Sequence, residues 1–400
     1  MRDAAAPILP RVLLVGRTRH QVPFAGAEAR KFAAVGELLD WHVLARTQRS
    51  HVDDRVTLVG RSHLPKLDGL LFQLRLPLAI ARAIRSRQPQ VIVAQDPFAG
   101  AAALLARRLA RRDAAVVVEV HGDWRTATRL YGSRARRLLG RPADAIAAAA
   151  LRRADAVRAI SDYTAGLVCE LGGTVEAQFP TFLDLEPFAA NAPVSLPLRP
   201  SALFVGVLER YKNVDGLLDA WTNVRRRVPD ARLHIVGKGR LAPLVERAVT
   251  LDQSVEYTPA LTREELSLAL DQATCLVLPS RSEGMGRVVV EAFARGRAVI
   301  ASTVGGLPEL VADGETGLLV DLQDPASLEA ALVRLLADRE TACRLGAKAA
   351  ERASTLNVTP KDWAGSLAAI VQVAQVRHTE RPVESPVLAP PPAATRVDRA

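Results

Sequence analysis

Short apolar runs alternate with longer amphipathic ones along this chain, and they do so twice. "RVLLVG" (11–16), "WHVLA" (41–45), "VTLVG" (56–60), "QVIVAQD" (90–96) and "AVVVEVHG" (115–122) are brief, rich in β-branched residues, and mostly end at glycine or a polar residue. Between them lie stretches of helical periodicity such as "AEARKFAAVGELLD" and "FAGAAALLARRLARR". Strand followed by helix, repeated, predicts a parallel sheet covered on both faces by crossover helices. The pattern restarts with "SALFVGVL", "ARLHIVG", "VEYTP", "TCLVLPS", "AVIAS" and "TGLLVD", separated by helical segments such as "NVDGLLDAWTNVRRRV".

Two doubly wound α/β domains with a cleft between them follow from that repetition. A length of 400 residues, beyond what one hydrophobic core usually organises, agrees. The proline-rich "NAPVSLPLRPS" lies between the two series and reads as a linker. The expected division is a first domain over 1–190, a linker over 191–200, a second domain over 201–360 and a helix over 361–377 crossing back to the first domain. A proline-rich tail over 378–400 has no periodicity and is expected to be disordered.

Charge narrows the partners. A formal net charge of +10 favours an anionic one: a phosphate-bearing substrate, an anionic membrane surface or a nucleic acid. Nucleic acid is the poorest of these, because no RNA or DNA module is visible and 4% aromatic residues offer few stacking platforms. Cys169, Cys275 and Cys343 have no CxxC spacing, so neither a disulfide framework nor a metal site is expected, and a cytoplasmic compartment is the simplest reading. No apolar stretch reaches transmembrane length, so membrane contact would be peripheral, on the inner face of the cell membrane. Arginine-rich helices in "AIARAIRSRQPQ", "LLARRLARRDAAV" and "GSRARRLLGRPADAIAAAALRRADAVR" suit anionic headgroups, and equally suit a solvated face in an arginine-biased composition.

Ligands of open α/β sheets bind beyond the carboxyl ends of the strands, which directs attention to "PSRSEGMGRVVVEAFARG" (279–296). "TCLVLPS" is the strand, "RSEGMG" the loop and "RVVVEAFAR" the helix, with Gly296 placed as its C-terminal cap. Glu283 falls in the loop, Gly284 and Gly286 leave backbone amides accessible, and Glu291 sits about one turn into the helix. One carboxylate for sugar hydroxyls, amides and a helix N-terminus for phosphate oxygens, and a second carboxylate for a ribose diol would together hold a nucleotide-sugar. Two glutamates at this spacing are by themselves more often solvated helix residues.

The surrounding motifs change that weighting. From Pro279 onward the chain resembles the donor half of glycosyltransferase family 4: an E-x7-E pattern, then G-G-x-P-E ("GGLPE"), then a G-x-x-G turn ("GETGLLV"), in the family's order. "LFVGVLERYKNVDGLLDAW" resembles the family's strand, loop and helix with a phosphate-binding lysine, here Lys212, and "LHIVGKGR" its next strand. "FAGAEARKFA", "VEVHGDW" and "FPTFLDLEPF" resemble the family's first glycine loop, histidine-glycine strand end and interdomain link. The chain departs from the pattern at Val207, where an arginine is common, at Ala25 in the first glycine pair, and at Thr181 for the usual asparagine.

The resemblance implies a GT-B fold and a retaining transfer of a sugar from a nucleoside-diphosphate sugar to a hydroxyl acceptor. A lipid-linked or cell-envelope glycan is the acceptor that the arginine-rich helices would favour if they rest on a membrane, and no metal or cofactor would be needed beyond the nucleotide-sugar co-substrate. It places Glu283 against the sugar, Lys212 against the departing diphosphate and His121 near both sugar and acceptor. Donor contacts are expected from Gly26, Gly206, Arg210, Lys212, Gly284, Met285, Gly286, Arg287, Val288 and Glu291, and acceptor contacts from Asp123 and Trp124. His234, alternating with apolar residues, reads as structural. A GT-B-fold sugar epimerase and a catalytically silent nucleotide-sugar-binding protein are the alternatives. A dehydrogenase or P-loop kinase is disfavoured, since neither G-x-G-x-x-G nor G-x-x-x-x-G-K-[ST] occurs.

Overall fold

Val12–Val15, Val91–Ala94 and Ala115–Val120 are buried along their whole length, the environment that continuous β-branched runs require. They lie at the centre of an eight-stranded sheet in a computed structural model that describes residues 9–20, 22–46, 51–59, 68–125 and 140–380. Its strands are β1 (Arg11–Arg19), β2 (Asp40–Arg46), β3 (His51–Val52), β4 (Val56–Val59), β5 (Val91–Ala94), β6 (Ala115–Val120), β7 (Ala156–Ala159) and β8 (Ala177–Gln178). They are ordered β3-β4-β2-β1-β5-β6-β7-β8, and every pairing is parallel except β3 with β4.

The second sheet joins β9 (Ser201–Val205), β10 (Arg232–Val236), β11 (Val255–Thr258), β12 (Cys275–Leu278), β13 (Ala298–Ser302) and β14 (Gly317–Val320). Its order is β11-β10-β9-β12-β13-β14, all parallel. Winding reverses once in each sheet, between β1 and β5 and between β9 and β12. Such switch points open a crevice at the strand ends, where ligands bind.

Helices Asp68–Arg87, Pro97–Ala110 and Gly140–Arg153 cover one face of the first sheet, and Gly26–Leu38 covers the other together with the last helix, Pro360–Glu380. Trp363, Leu367, Ile370 and Val371 of that last helix share a core cluster with Val12, Val91 and Val117. The chain thus returns to its first domain after completing the second. Residues 378–380, assigned from sequence to the tail, continue the helix because His378 has partners there: Asp113 at 2.6 Å and Asp155 at 3.0 Å. The rest of the proline-rich tail lies outside the described residues, as does the 132–139 part of the third arginine-rich stretch.

The segment between the sheets is held by buried arginines. Arg295 donates to the carbonyls of Phe188 (3.1 Å), Asn191 (2.7 Å) and Ala192 (3.3 Å), and Arg297 to that of Val194 (2.9 Å). Asp271 balances the Arg295 charge with two contacts of 2.8 Å.

Candidate active site

The strand ends of both sheets face a cleft of about 1200 Å³. On the second-domain side, β12 runs into the loop 279–286, and Gly286 turns the chain into the helix Arg287–Ala294 with a φ of +75° that side chains rarely adopt. Glu283 accepts a hydrogen bond from the Lys212 ammonium, and Ser280 Oγ lies 3.5 Å from the same carboxylate oxygen. Lys212 is only 8% exposed, and the Glu283 carboxylate is its ion-pair partner. The residue is carried there by a short 3-10 turn, Arg210–Lys212, which Asn213 ends in a left-handed conformation.

Arg287 is the first residue of its helix, exposed and facing the cleft. A cation at a helix N-terminus opposes the helix dipole, and an anion bound among the guanidinium and the first amides relieves that opposition. Glu291 is 7% exposed one turn further on, 3.9 Å from Arg263. Burial raises its pKa above the ordinary carboxylate value, against the lowering influence of Arg287 and Arg263. Gly206 closes β9 with its amide bonded to the Val236 carbonyl at 3.0 Å, and a Cβ there would stand 3.6 Å from the Lys212 methylenes. Met285 and Val288 pack against the second-domain core.

Arg210 is exposed and is not among the residues facing the cleft; its carbonyl accepts from Arg281 Nη1 at 2.7 Å. Val207, where the family pattern has an arginine, is 46% exposed. His234 Nε2 pairs with Thr258 Oγ1 at 2.9 Å, and burial lowers its pKa, as suits a histidine inside a sheet.

On the first-domain side, Gly26 opens the helix Gly26–Leu38 at φ +54°, and no atom lies within 4 Å of where a Cβ would stand. His121, at the end of β6, has Nε2 3.2 Å from Glu119 and Nδ1 3.3 Å from Thr181 Oγ1. Asp123 faces the cleft but is engaged by Arg125, accepting from its amide at 2.9 Å and from Nε at 2.8 Å. Trp124 also reaches the cleft wall, yet 8% exposure and membership of the first-domain core make most of its ring a packing element.

Among the cleft residues that a motif reading leaves out are Lys31, Glu119 and Arg158. Lys31 faces Trp363 with Nζ 4.2 Å from the ring centroid, and burial lowers its pKa to about 8. Glu119 and Arg158 form a buried ion pair beneath His121. Glu119 had a signal, since residues two apart on a strand share a face; Lys31 and Arg158 had none.

The domains also touch beside the loop. A Cβ on Gly284 would come within 2.1 Å of the His121 carbonyl oxygen, and Ser161 Oγ donates to the Gly284 carbonyl at 3.2 Å. Glu309, the acid of "GGLPE", crosses the same seam to the helix Asp162–Cys169. Among the described residues no group of three His, Cys, Asp or Glu is placed to hold a metal ion, and no helix is long and apolar enough to cross a membrane. Cys169 and Cys343 are exposed and Cys275 is buried, all three free.

Known proteins match both halves. The family described as Glycosyltransferase Family 4 matches residues 29–178, and Glycosyl transferases group 1 matches 199–338. A D-inositol 3-phosphate glycosyltransferase of Corynebacterium diphtheriae is 36% identical over 171 residues, 40% of this chain and 40% of the relative. A GDP-mannose-dependent alpha-(1-6)-phosphatidylinositol monomannoside mannosyltransferase of Mycolicibacterium smegmatis is 32% identical over 225 residues, 50% of this chain and 59% of the relative. The chain therefore spans about half the length of these curated relatives. Anabaena HepE, solved in complex with UDP-glucose, superposes with a TM-score of 0.65 at 18% identity, over 90% of this chain and 99% of that one. Matched in both halves and built as two facing parallel-sheet domains, the chain has the GT-B fold and belongs to glycosyltransferase family 4.

Proposed function

We propose that this protein is a retaining hexosyltransferase that moves a sugar from a nucleoside-diphosphate sugar to a hydroxyl acceptor. The observation that carries the reading is the constellation of Lys212, Glu283 and Arg287 around one helix N-terminus, facing the first domain across Gly284. In the proposed step the bond from the sugar carbon to the diphosphate breaks, with its electrons passing to the phosphate oxygen. The acceptor oxygen then bonds that carbon from the same face and gives its proton to the departing phosphate. Lys212, Arg287 and the amides of the Arg287–Ala294 helix stabilise the charge that grows on the diphosphate, which is where binding accelerates the reaction. Glu283 holds sugar hydroxyls, Glu291 the ribose, and Gly26 leaves room for the donor to approach the first domain. No metal enters this scheme.

The acceptor in this reading lies on the first domain, beside His121, Asp123 and Trp124. Both curated relatives are named for phosphorylated inositols, which fits a phosphate-bearing acceptor, lipid-linked or soluble, for a basic protein such as this one. Exposed Leu74 and Leu78 beside Arg75 and Arg82, and exposed Leu105 and Leu109 beside Arg108, support peripheral contact of the first domain with an anionic cell membrane.

A panel of UDP-, GDP- and ADP-sugars tests the reading, by thermal protection and by slow hydrolysis, against the wild type and Glu283→Ala. One donor should stabilise and be turned over by the wild type, with both effects reduced in the variant. Binding without turnover by any acceptor would leave a silent binder, and binding of none would end the proposal.

A further inference from the structure

Beneath the cleft, the partners of His121 are themselves held by one residue. Glu119 and Arg158 stand opposite each other in the parallel pairing of β6 with β7, so their side chains leave the sheet side by side. Arg158 is fully buried, and Glu119 is 4% exposed. Nη1 of Arg158 donates to Glu119 Oε1, while Nη2 donates to the carbonyls of Phe179 at 3.0 Å and Pro180 at 2.8 Å. The guanidinium also lies 3.9 Å from the Phe179 ring centroid. Thr181, the next residue, presents its hydroxyl to His121 Nδ1, and Glu119 presents its other oxygen to Nε2. One guanidinium thus fixes the carboxylate on one side of the imidazole and the backbone that carries the hydroxyl on the other.

The chemistry of those two partners decides where the ring proton sits. Burial works against the Glu119 charge, yet the Arg158 guanidinium and the His121 bond hold its pKa well below the ordinary carboxylate range. An ionised carboxylate can only accept, so the nitrogen facing it must carry hydrogen. The Thr181 hydroxyl can donate, which suits a bare Nδ1. We propose that Arg158 is a positioning residue for His121, fixing Glu119 and the Phe179–Thr181 segment together so that the neutral imidazole is held as the Nε2–H tautomer. Nδ1 is then the one ring lone pair available to a substrate hydroxyl, in exchange for that of Thr181. The functional half of this inference rests on the reading that His121 serves the donor and acceptor; the tautomer itself does not.

Long-range proton–nitrogen correlation on histidine-labelled protein tests it. The chain has 7 histidines, and loss of one signal set in His121→Gln assigns the ring. The wild type at pH 7.5 should show His121 protonated on Nε2 and bare on Nδ1. Glu119→Gln should invert this: Arg158 requires the amide oxygen, so the amide NH2 faces His121, which must then accept at Nε2 and carry its proton on Nδ1. Turnover should fall at least tenfold in that variant with the donor KM changed less than threefold. Thr181→Val should keep the wild-type tautomer. An Nδ1–H ring in the wild type overturns the inference without any variant needing to fold, as does an unchanged tautomer in folded Glu119→Gln. Tautomer inversion with unchanged turnover would sustain the positioning role and instead remove His121 from the catalytic reading.

Discussion

Glu309 of the second domain accepts a hydrogen bond from the backbone amide of Tyr163 in the first, at 2.7 Å, and its other oxygen accepts from the amide of Asp162 at 2.8 Å. One side chain thereby caps a helix in the opposite domain, placing a carboxylate where the helix dipole favours it. Together with the bond from Ser161 to Gly284, this makes a latch across the cleft mouth. Glu309→Gln can keep at most part of it and should cost roughly 1 kcal/mol of closure, by the usual worth of a helix cap. The donor KM should rise about fivefold, the conversion of that energy, with kcat less affected. Small-angle scattering should show a larger radius of gyration for the variant. An unchanged radius and an unchanged KM together would refute the latch.

Lys212 and Glu283 are bonded to each other, although the proposed reaction assigns them to different parts of the donor. A donor that gives phosphate to one and hydroxyls to the other substitutes new partners for an existing pair, so the site is organised before it binds. Lys212→Met should lower kcat by about 100- to 1000-fold, the scale seen when one charge-stabilising donor is removed. The same change leaves a largely buried carboxylate unpaired and should destabilise the fold by about 3 kcal/mol. Adding Glu283→Gln should restore part of that stability and none of the rate. A double-mutant cycle read by urea unfolding and by turnover separates the two effects.

Fold and site differ in how far they can be read from the chain. Strands visible as apolar runs include ones whose side chains all enter a core, such as "VIVA" of β5, and ones only partly buried, such as "VEYT" of β11. β7, "AVRA", is missed because Arg158 interrupts the run; its burial is made tolerable by Glu119 on a strand more than thirty residues earlier, through a pairing that no local pattern contains. β3 and β8 are two residues long, too short to show a period. The loop proposed to hold the donor could be picked out in the chain because Glu283, the glycines and Arg287 all lie within one strand-loop-helix. Lys31, Arg158 and the crossing of Glu309 depend on three-dimensional neighbours and carry no local mark.

Lys31 gives the site a pH signature. Burial lowers its folded pKa from 10.5 to about 8, so the folded chain releases this proton before the unfolded chain does. Between about pH 8 and 10.5 the unfolded state binds more protons, and stability relative to a Lys31→Met variant should rise with pH. Below pH 8 the ammonium is charged in both states, and its full desolvation cost falls on the folded one. Each pKa unit is worth about 1.4 kcal/mol, so the variant's advantage should shrink by up to about 3 kcal/mol across that window. Urea unfolding of both proteins at pH 7.5 and 10 measures it. A difference that is constant with pH would mean that Lys31 titrates as an ordinary surface lysine.

Gly284 sets the second domain against the main chain of His121 and Gly122 in the first, and its test separates closure from folding. An added methyl would stand 2.1 Å from the His121 carbonyl oxygen and 3.2 Å from Gly122 Cα, both main chain, so no side-chain rotation relieves the clash. Each domain keeps its own core, since neither contact belongs to one. Gly284→Ala should therefore unfold within a few degrees of the wild type. Opening of the cleft should separate His121 from Glu283, and a shift of even 1 Å in reacting geometry costs about 100-fold in rate. The expected result is a loss of kcat of that size with the donor still binding to the second domain, seen as retained thermal protection. Wild-type turnover in the variant would show that the contact between Gly284 and His121 is not part of the active arrangement. Loss of donor protection along with turnover would place the damage in the donor loop itself.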